Sequence, residues 1–128
     1  MFRIFSLYTL IMLSINLLDT RDQHQHHMKT FDTSHEGQRV KVSLDDTLKI
    51  ILPTQMGTGY RWMWEAQGAF RLLEEKVEAK ANRPGAAEEQ VFIIRPLQKG
   101  QHQLHLSYQR SWEKQLLKDY TLQVEVVE

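Results

Sequence analysis

From Arg39 onward, short segments in which every second residue is apolar dominate the chain. Successive side chains of a β-strand point to opposite faces, so a period of two gives a strand one buried face and one solvated face. Turn signals such as Asp45-Asp46 separate these segments. The pattern predicts an all-β fold, an antiparallel β-sandwich. Its apolar positions are Val40, Val42 and Leu44; Leu48, Ile50 and Leu52; Leu104, Leu106 and Tyr108; and Tyr120, Leu122, Val124 and Val126.

The stretch from Ala69 to Ala81, AFRLLEEKVEAKA, fits this pattern least well. It is rich in good helix formers, and Leu73 and Val77 are four residues apart, as on one face of a helix. As a strand it would lie at a sheet edge, where its charged residues would discourage pairing with another chain. The apolar and aromatic segments at 60–64 and 90–95 indicate strands on both sides of it. We therefore predict a strand here.

An apolar run from Ile4 to Leu18, preceded by Arg3, occupies the beginning of the chain. A bilayer-spanning helix needs about 20 apolar residues, so this run suits the apolar centre of an export signal better. We predict a signal peptide at residues 1–19 and a protein that is exported, either periplasmic or secreted. The alternatives are an uncleaved leader that anchors the chain to a membrane, and a buried first helix.

Residues 20–38 are polar and contain His24, His26, His27 and His35. Neutral imidazole is a good ligand for zinc, copper or nickel. No carboxylate or cysteine stands at a recognised ligand spacing, however, so we interpret the segment as a polar linker and predict neither a metal site nor a cofactor. The folded domain is then expected to span residues 39–128.

Charge and cysteine content exclude several classes of function. The 128 residues include 16 basic and 16 acidic ones, so we expect no general nucleic-acid-binding surface. The sequence has no cysteine, which excludes a disulfide framework, a cysteine-based zinc site and a cysteine nucleophile. Serines and histidines are present, but no nucleophile elbow or metal motif organises them. We predict a monomer that is not an enzyme and has no catalytic residue.

The first of three notable loops is PTQMGTGYRW, at residues 53–62. Gly57 and Gly59 allow positive φ and let a partner approach the backbone closely. Neither a helix start nor the Gly-Lys-Ser/Thr of a phosphate-binding loop follows them. Considered alone, the segment is a plain turn in which Tyr60 and Trp62 face the core.

The other two loops lie at residues 82–90 and 108–114. Pro84-Gly85 is a turn signature that by itself indicates only a hairpin connection. The third loop contains Arg110, Trp112 and Glu113. Trp and Arg are over-represented among residues that carry binding energy, although a Trp at a strand end more often closes one end of a sandwich core.

Together these loops resemble those of the chagasin-like inhibitors of papain-type cysteine proteases, and the resemblance runs from about Val40 to Val126. Thr58-Gly59-Tyr60 and Trp62 are similar to the end of the family's Asn-Pro-Thr-Thr-Gly-Tyr loop and its following tryptophan. Arg110, Trp112 and Glu113 are similar to its Arg-Pro-Trp-Glu loop. Gly85 is similar to the first glycine of its Gly-x-Gly-Gly loop.

The chain departs from the family pattern in each loop. Gln55, Met56 and Gly57 stand in place of Asn, Pro and Thr, and Ser111 stands in place of a proline. Because proline restricts φ, its loss predicts loops that are less preorganised and bind more weakly. In the second loop, Ala87 and Glu88 replace two glycines, so that Glu88 adds charge and bulk where the family brings bare backbone near the enzyme.

The resemblance implies an immunoglobulin-like antiparallel β-sandwich with the three loops side by side at one end, where they form a wedge. In the family the first loop enters the active-site cleft near the catalytic cysteine and the other two straddle it. The implied function is reversible inhibition of a papain-like cysteine protease, with Arg110 and Trp112 packing on the far rim of the enzyme. The implied protease-binding residues are Gly57, Thr58, Gly59, Tyr60, Trp62, Gly85, Ala86, Ala87, Arg110, Trp112 and Glu113.

Three other functions stay open at this point. The chain could be an exported immunoglobulin-like module that binds some other protein without inhibiting a protease, an enzyme, or a protein of the inhibitor fold that has lost inhibition. Fold alone does not choose among them. The inhibitor is favoured because the residues that carry the resemblance lie in loops and not only in strands.

Overall fold

A computed structural model describes residues 27–83 and 85–128 of the chain. These residues form eight strands and two short 3₁₀ turns, at Thr33–His35 and Met56–Thr58. The strands are β1 (Met28–Phe31), β2 (Arg39–Ser43), β3 (Thr47–Thr54), β4 (Tyr60–Trp64), β5 (Phe70–Ala79), β6 (Glu88–Pro96), β7 (Gly100–Arg110) and β8 (Lys118–Val127).

The strands form two four-stranded sheets, which we call sheet A and sheet B. Sheet A has the order β1-β3-β6-β5, and sheet B has the order β2-β8-β7-β4. Four of the strand pairs are antiparallel, but β1 pairs with β3, and β2 with β8, in parallel. The predicted all-β, immunoglobulin-like sandwich is confirmed, and the parallel pairs at one edge of each sheet are an addition to it.

The core lies between the sheets and contains the apolar residues that the alternation singled out. Leu48, Ile50 and Leu52 of β3 are fully buried, as are Leu104 and Leu106 of β7. Val40 and Leu44, at the two ends of the β2 pattern, are only partly buried and pack against this cluster. Burial of such side chains contributes about 1.5–3 kcal/mol each, so the alternating pattern largely determines where the core lies.

The sandwich begins earlier than the sequence predicts. The linker prediction is wrong from Met28 onward, because Met28–Phe31 forms β1 and pairs with β3, and Phe31 is buried in the core. The hydroxyl of Tyr120 donates to the carbonyl of Asp32 at 2.7 Å and ties the next residues to sheet B. Burial raises the pKa of Tyr120. β1 has four residues and buries only one side chain, so it is too short to show an alternation of apolar and polar residues in the sequence.

The predicted signal peptide at residues 1–19 lies outside the described residues, as do His24 and His26. Within residues 27–83 and 85–128, no helix is long and apolar enough to cross a bilayer.

The stretch with conflicting signals is a strand, as predicted. β5 (Phe70–Ala79) forms one edge of sheet A and pairs with β6 throughout, apart from a bulge between Leu72 and Glu74. Most of its side chains are exposed, and many of them are charged. Pairing with β6 therefore outweighs the helix propensity of the segment.

A buried amide joins the two sheets. Gln90 of β6 is 0% exposed; its Nε2 donates to the carbonyl of Trp62 at 2.7 Å and its Oε1 accepts from the N–H of Trp62 at 2.8 Å. Since β4 is the edge strand of sheet B, these backbone groups of Trp62 have no neighbouring strand to bind them. The side chain of Gln90 takes the place of that strand. It also donates to Glu75 of β5 at 2.8 Å.

Removal of this amide should destabilise the fold. Gln90→Leu leaves the N–H and C=O of Trp62 buried without partners, so we expect a loss of about 2–4 kcal/mol in the free energy of unfolding. Gln90→Glu should also be destabilising at neutral pH, because an ionised carboxylate cannot donate to the Trp62 carbonyl. Its loss should shrink near pH 4, where a protonated carboxyl can donate.

Urea denaturation of both variants measures these changes, with Gln103→Leu as the matched control on the exposed face of β7. Equal unfolding free energies for Gln90→Leu and Gln103→Leu would contradict a structural role for the Gln90 amide.

Candidate functional site

Three loops leave the sandwich at the same end. We call residues 55–59 loop A, residues 80–87 loop B and residues 111–117 loop C; they connect β3 to β4, β5 to β6, and β7 to β8. Thr54 and Ala79 both pair with Glu88, which brings the ends of β3, β5 and β6 together. Tyr60 pairs with Arg110, which brings the start of β4 to the end of β7. The pairing of strands thus places loop A beside the other two loops.

Loop A is a tight turn without charged side chains. The N–H of Thr58 donates to the carbonyl of Gln55 at 3.1 Å, and the hydroxyl of Thr58 donates to the same carbonyl at 2.6 Å. Gly59 then adopts a left-handed conformation with φ 83°, which glycine tolerates far better than other residues. Gly57 and Thr58 are exposed at the tip.

The ring of Trp112 lies against loop A. A Cβ added to Gly59 would lie 2.5 Å from Cη2 of Trp112, so both the left-handed φ and the close approach of the ring require glycine here. The Trp112 side chain is 70% exposed, which is unusual for the largest apolar side chain. The sequence left open whether this residue closes the core or faces outward, and the structure places it outside the core.

Arg110, at the end of β7, joins loop A to loop C. Its Nε donates to the carbonyl of Thr58 at 3.1 Å, and its Nη1 lies 3.2 Å from Oε1 of Glu113. The guanidinium stacks over the ring of Tyr60, 4.3 Å from its centroid, and lies 6.0 Å from the centroid of the Trp112 ring. The guanidinium of Arg110 is therefore held by intramolecular contacts with Thr58, Glu113 and Tyr60.

Loop B lies on the other side of loop A. It is closed by a hydrogen bond from the N–H of Lys80 to the carbonyl of Ala87 at 2.9 Å, and Gly85 has φ 76°. Glu88, at the start of β6, accepts a hydrogen bond from the N–H of Met56 through Oε1 at 3.3 Å. A groove of about 420 Å³ separates loops A and B, with Arg83 among its lining residues.

The structure brings together all but one of the predicted site residues. Trp62 is the exception: it is 3% exposed, its Nε1 donates to the carbonyl of Pro53 at 2.9 Å, and its ring packs on Tyr108. The resemblance implied that Trp62 binds the protease, but its position in β4 turns the side chain into the core, as expected when the loop is considered as a plain turn. At the loop end, Gly57, Thr58, Gly85, Ala87 and Trp112 are exposed, and Gly59, Tyr60, Ala86, Arg110 and Glu113 are half-buried.

Two apolar residues of loop C did not enter the predicted site. Leu116 and Leu117 are 46% and 57% exposed on the same loop as Trp112. An adjacent pair of leucines in a loop that already contains Trp112 is the signal that could have identified them, since a group of exposed apolar residues often marks an interaction site. Among the described residues, no group of three or more His, Asp or Glu side chains could hold a metal ion.

The fold has relatives among solved structures. The crystal structure of the cysteine protease inhibitor EhICP2 from Entamoeba histolytica is 25% identical, with a TM-score of 0.72, over 80% of this chain and 98% of that one. The solution structure of Amebosin is 24% identical, with a TM-score of 0.61, over 80% and 100% of the two chains. PbICP-C, from a complex with falcipain-2, is 16% identical, with a TM-score of 0.50, over 79% and 99%. No curated protein sequence matches the chain.

A sequence profile of the "Chagasin family peptidase inhibitor I42" matches residues 41–126. This match confirms the resemblance identified from the loops, and it agrees with the prediction that the protein is not an enzyme, because the family consists of peptidase inhibitors. Since the matched region covers most of the chain and includes all three loops, the chain belongs to the chagasin family of peptidase inhibitors.

Proposed function

We propose that this protein is a reversible inhibitor of papain-like cysteine endopeptidases that occludes the active-site cleft with loop A, while loops B and C lie on either side of the cleft. Family membership supports the inhibitory function, and the similar EhICP2 is described as a cysteine protease inhibitor. The observation that carries the mechanism is the position of loop A, held between Glu88, the residue that follows loop B, and Arg110, the residue that precedes loop C.

Loop A has the properties that a cleft-filling segment needs. Gly57, Thr58 and Gly59 have small, uncharged side chains, so a narrow cleft can accept the loop without burying an unpaired charge. The loop is also closed by 3₁₀ hydrogen bonds from Thr58 N to Gln55 O and from Gly59 N to Met56 O. A closed turn offers no extended peptide for cleavage, so the inhibitor blocks the cleft and needs no catalytic group of its own.

Loop C would supply the apolar anchor of the complex. Trp112 is the largest exposed apolar side chain, and tryptophan is among the residues most often responsible for binding energy. Leu116 and Leu117 extend the apolar surface along the same loop. Loop B would contact the opposite wall of the cleft through Gly85, Ala86 and Ala87, whose small side chains bring the backbone close to the enzyme.

We also propose that the protein is exported and acts as a monomer. The support for export is the apolar run from Ile4 to Leu18 behind Arg3. The export proposal predicts that the chain recovered from the periplasm or the medium lacks roughly the first 19 residues, as mass spectrometry can determine. Recovery of the intact chain from the cytosol of its native cell would contradict export.

Titration against a papain-like protease of known active-site concentration tests the proposed function. We expect activity to fall in proportion to added inhibitor, to return on dilution, and to leave the inhibitor uncleaved. The full chain, shown by circular dichroism to be folded, should be tested on papain-like enzymes with wide and with narrow clefts. No inhibition of either kind would reject the proposal and favour the alternative of an immunoglobulin-like module that binds another protein.

The anchoring role of Trp112 predicts a specific loss. Trp112→Ala should weaken binding by more than about 1 kcal/mol, which is a rise of about fivefold or more in the inhibition constant. Leu97→Ala is the matched control, because Leu97 is also an exposed apolar residue but lies in the β6–β7 connection at the opposite end of the sandwich. An unchanged inhibition constant for Trp112→Ala would remove Trp112 from the binding site.

A further inference from the structure

Two charged side chains hold the backbone of loop A from opposite sides. Oε1 of Glu88 accepts from the N–H of Met56 at 3.3 Å, and Nε of Arg110 donates to the carbonyl of Thr58 at 3.1 Å. Met56 and Thr58 are the first and last residues of the 3₁₀ turn in loop A. The turn is therefore bound at both ends by residues that lie outside it, one from each sheet.

Glu88 is oriented inward, toward loop A. The sequence suggested that its charge and bulk would face the enzyme, where the family has glycine. In the structure its side chain is half-buried and its carboxylate accepts a backbone N–H. A charged acceptor makes a stronger hydrogen bond than a neutral one, so this contact restrains the start of the turn.

Arg110 is restrained before any partner arrives. Glu113 holds one side of its guanidinium at 3.2 Å, and the ring of Tyr60 supports its face at 4.3 Å. Its planar group is thereby fixed with Nε directed at the Thr58 carbonyl. Because these intramolecular contacts fix the guanidinium of Arg110, it has less freedom to change orientation and contact the surface of an enzyme.

From these contacts we propose that Glu88 and Arg110 are positioning residues that fix loop A in its binding conformation and so replace the rigidity that proline gives the family's loops. The proposal rests on the proposed function, since it concerns how the same loop is prepared for the cleft. Under this proposal the loss of proline, which the sequence predicts to leave loop A less preorganised, is offset by side chains on β6 and β7 that restrain the loop from outside.

Positioning and direct contact have different kinetic consequences. If loop A is loosened, only a fraction of the free inhibitor is ready to bind, so the association rate constant falls by that fraction. In the complex the cleft walls hold the loop, so the dissociation rate constant changes little. Loss of a residue that contacts the enzyme directly would instead raise the dissociation rate constant.

The experiment compares Glu88→Ala and Arg110→Ala with the parent chain, and with Glu89→Ala as the matched control. Glu89 is the neighbouring carboxylate, but it pairs with Lys80 and not with loop A. We expect backbone amide NMR relaxation of the free protein to report increased motion at Met56–Thr58 in the two test variants. In Glu89→Ala the motion of these residues should equal that in the parent chain. We expect association with the protease to slow by about three- to tenfold in each test variant.

Two conservative variants sharpen the test. Glu88→Gln retains an acceptor oxygen and should keep Met56 ordered. Arg110→Lys retains the charge but loses the planar stack on Tyr60, so it should loosen Thr58 as Arg110→Ala does. If Arg110 instead acted as a charge on the enzyme rim, Arg110→Lys would bind like the parent.

Unchanged loop motion in both alanine variants would overturn the proposal, and so would a raised dissociation rate with an unchanged association rate. The measurement of loop motion needs no protease. A parent chain that inhibits nothing would therefore reject the proposed function, while the relaxation data would still decide whether Glu88 and Arg110 order loop A.

Discussion

The bidentate contact between the Gln90 amide and the backbone of Trp62 is the interaction on which the loop end depends. It is buried, it links β6 of sheet A to β4 of sheet B, and it occupies the backbone groups that an edge strand leaves unpaired. A buried polar contact of this kind is costly to leave incomplete, so it admits one register of β4 against the other sheet. With β4 fixed, Tyr60 and the end of loop A are fixed as well.

A layer of aromatic rings transmits this constraint to the loops. The ring of Tyr108 packs on Trp62, with 4.9 Å between centroids, and stacks on Tyr60, with 5.5 Å between centroids. Its hydroxyl lies 3.4 Å from the N–H of Gln55, at the start of loop A. Packed rings have little rotamer freedom, so Tyr60, Trp62 and Tyr108 form a rigid layer against which loop A packs. The guanidinium of Arg110 continues the same stack above Tyr60.

The sequence predicts the parts of this structure that follow from local rules. Alternation identifies the core of β3, β7 and β8, and the edge position explains why β5 is a strand despite its helix formers. The order of the three loop motifs along the chain also identifies the chagasin family. The short strand β1 escapes notice because it buries only Phe31. The local pattern indicates that Trp62 faces the core, although the resemblance placed it among the binding residues. The inward direction of Glu88 does not follow from any local rule, since it depends on a contact with Met56, 32 residues away in the chain.

The contacts that Glu88 and Arg110 make with loop A also affect how such an inhibitor would distinguish among proteases. In the proposed complex, loop A offers a cleft little besides backbone and the small side chains of Gly57, Thr58 and Gly59, which do not discriminate strongly among specificity pockets. Discrimination would then depend on the flanking loops, through the apolar surface of loop C and the charge of Arg83 on loop B. Because Glu88 on β6 and Arg110 on β7 would hold loop A, the residues of loops B and C other than Trp112 and Glu113 can vary without loosening the segment that enters the cleft. Trp112 and Glu113 are excepted because they contact Gly59 and Arg110.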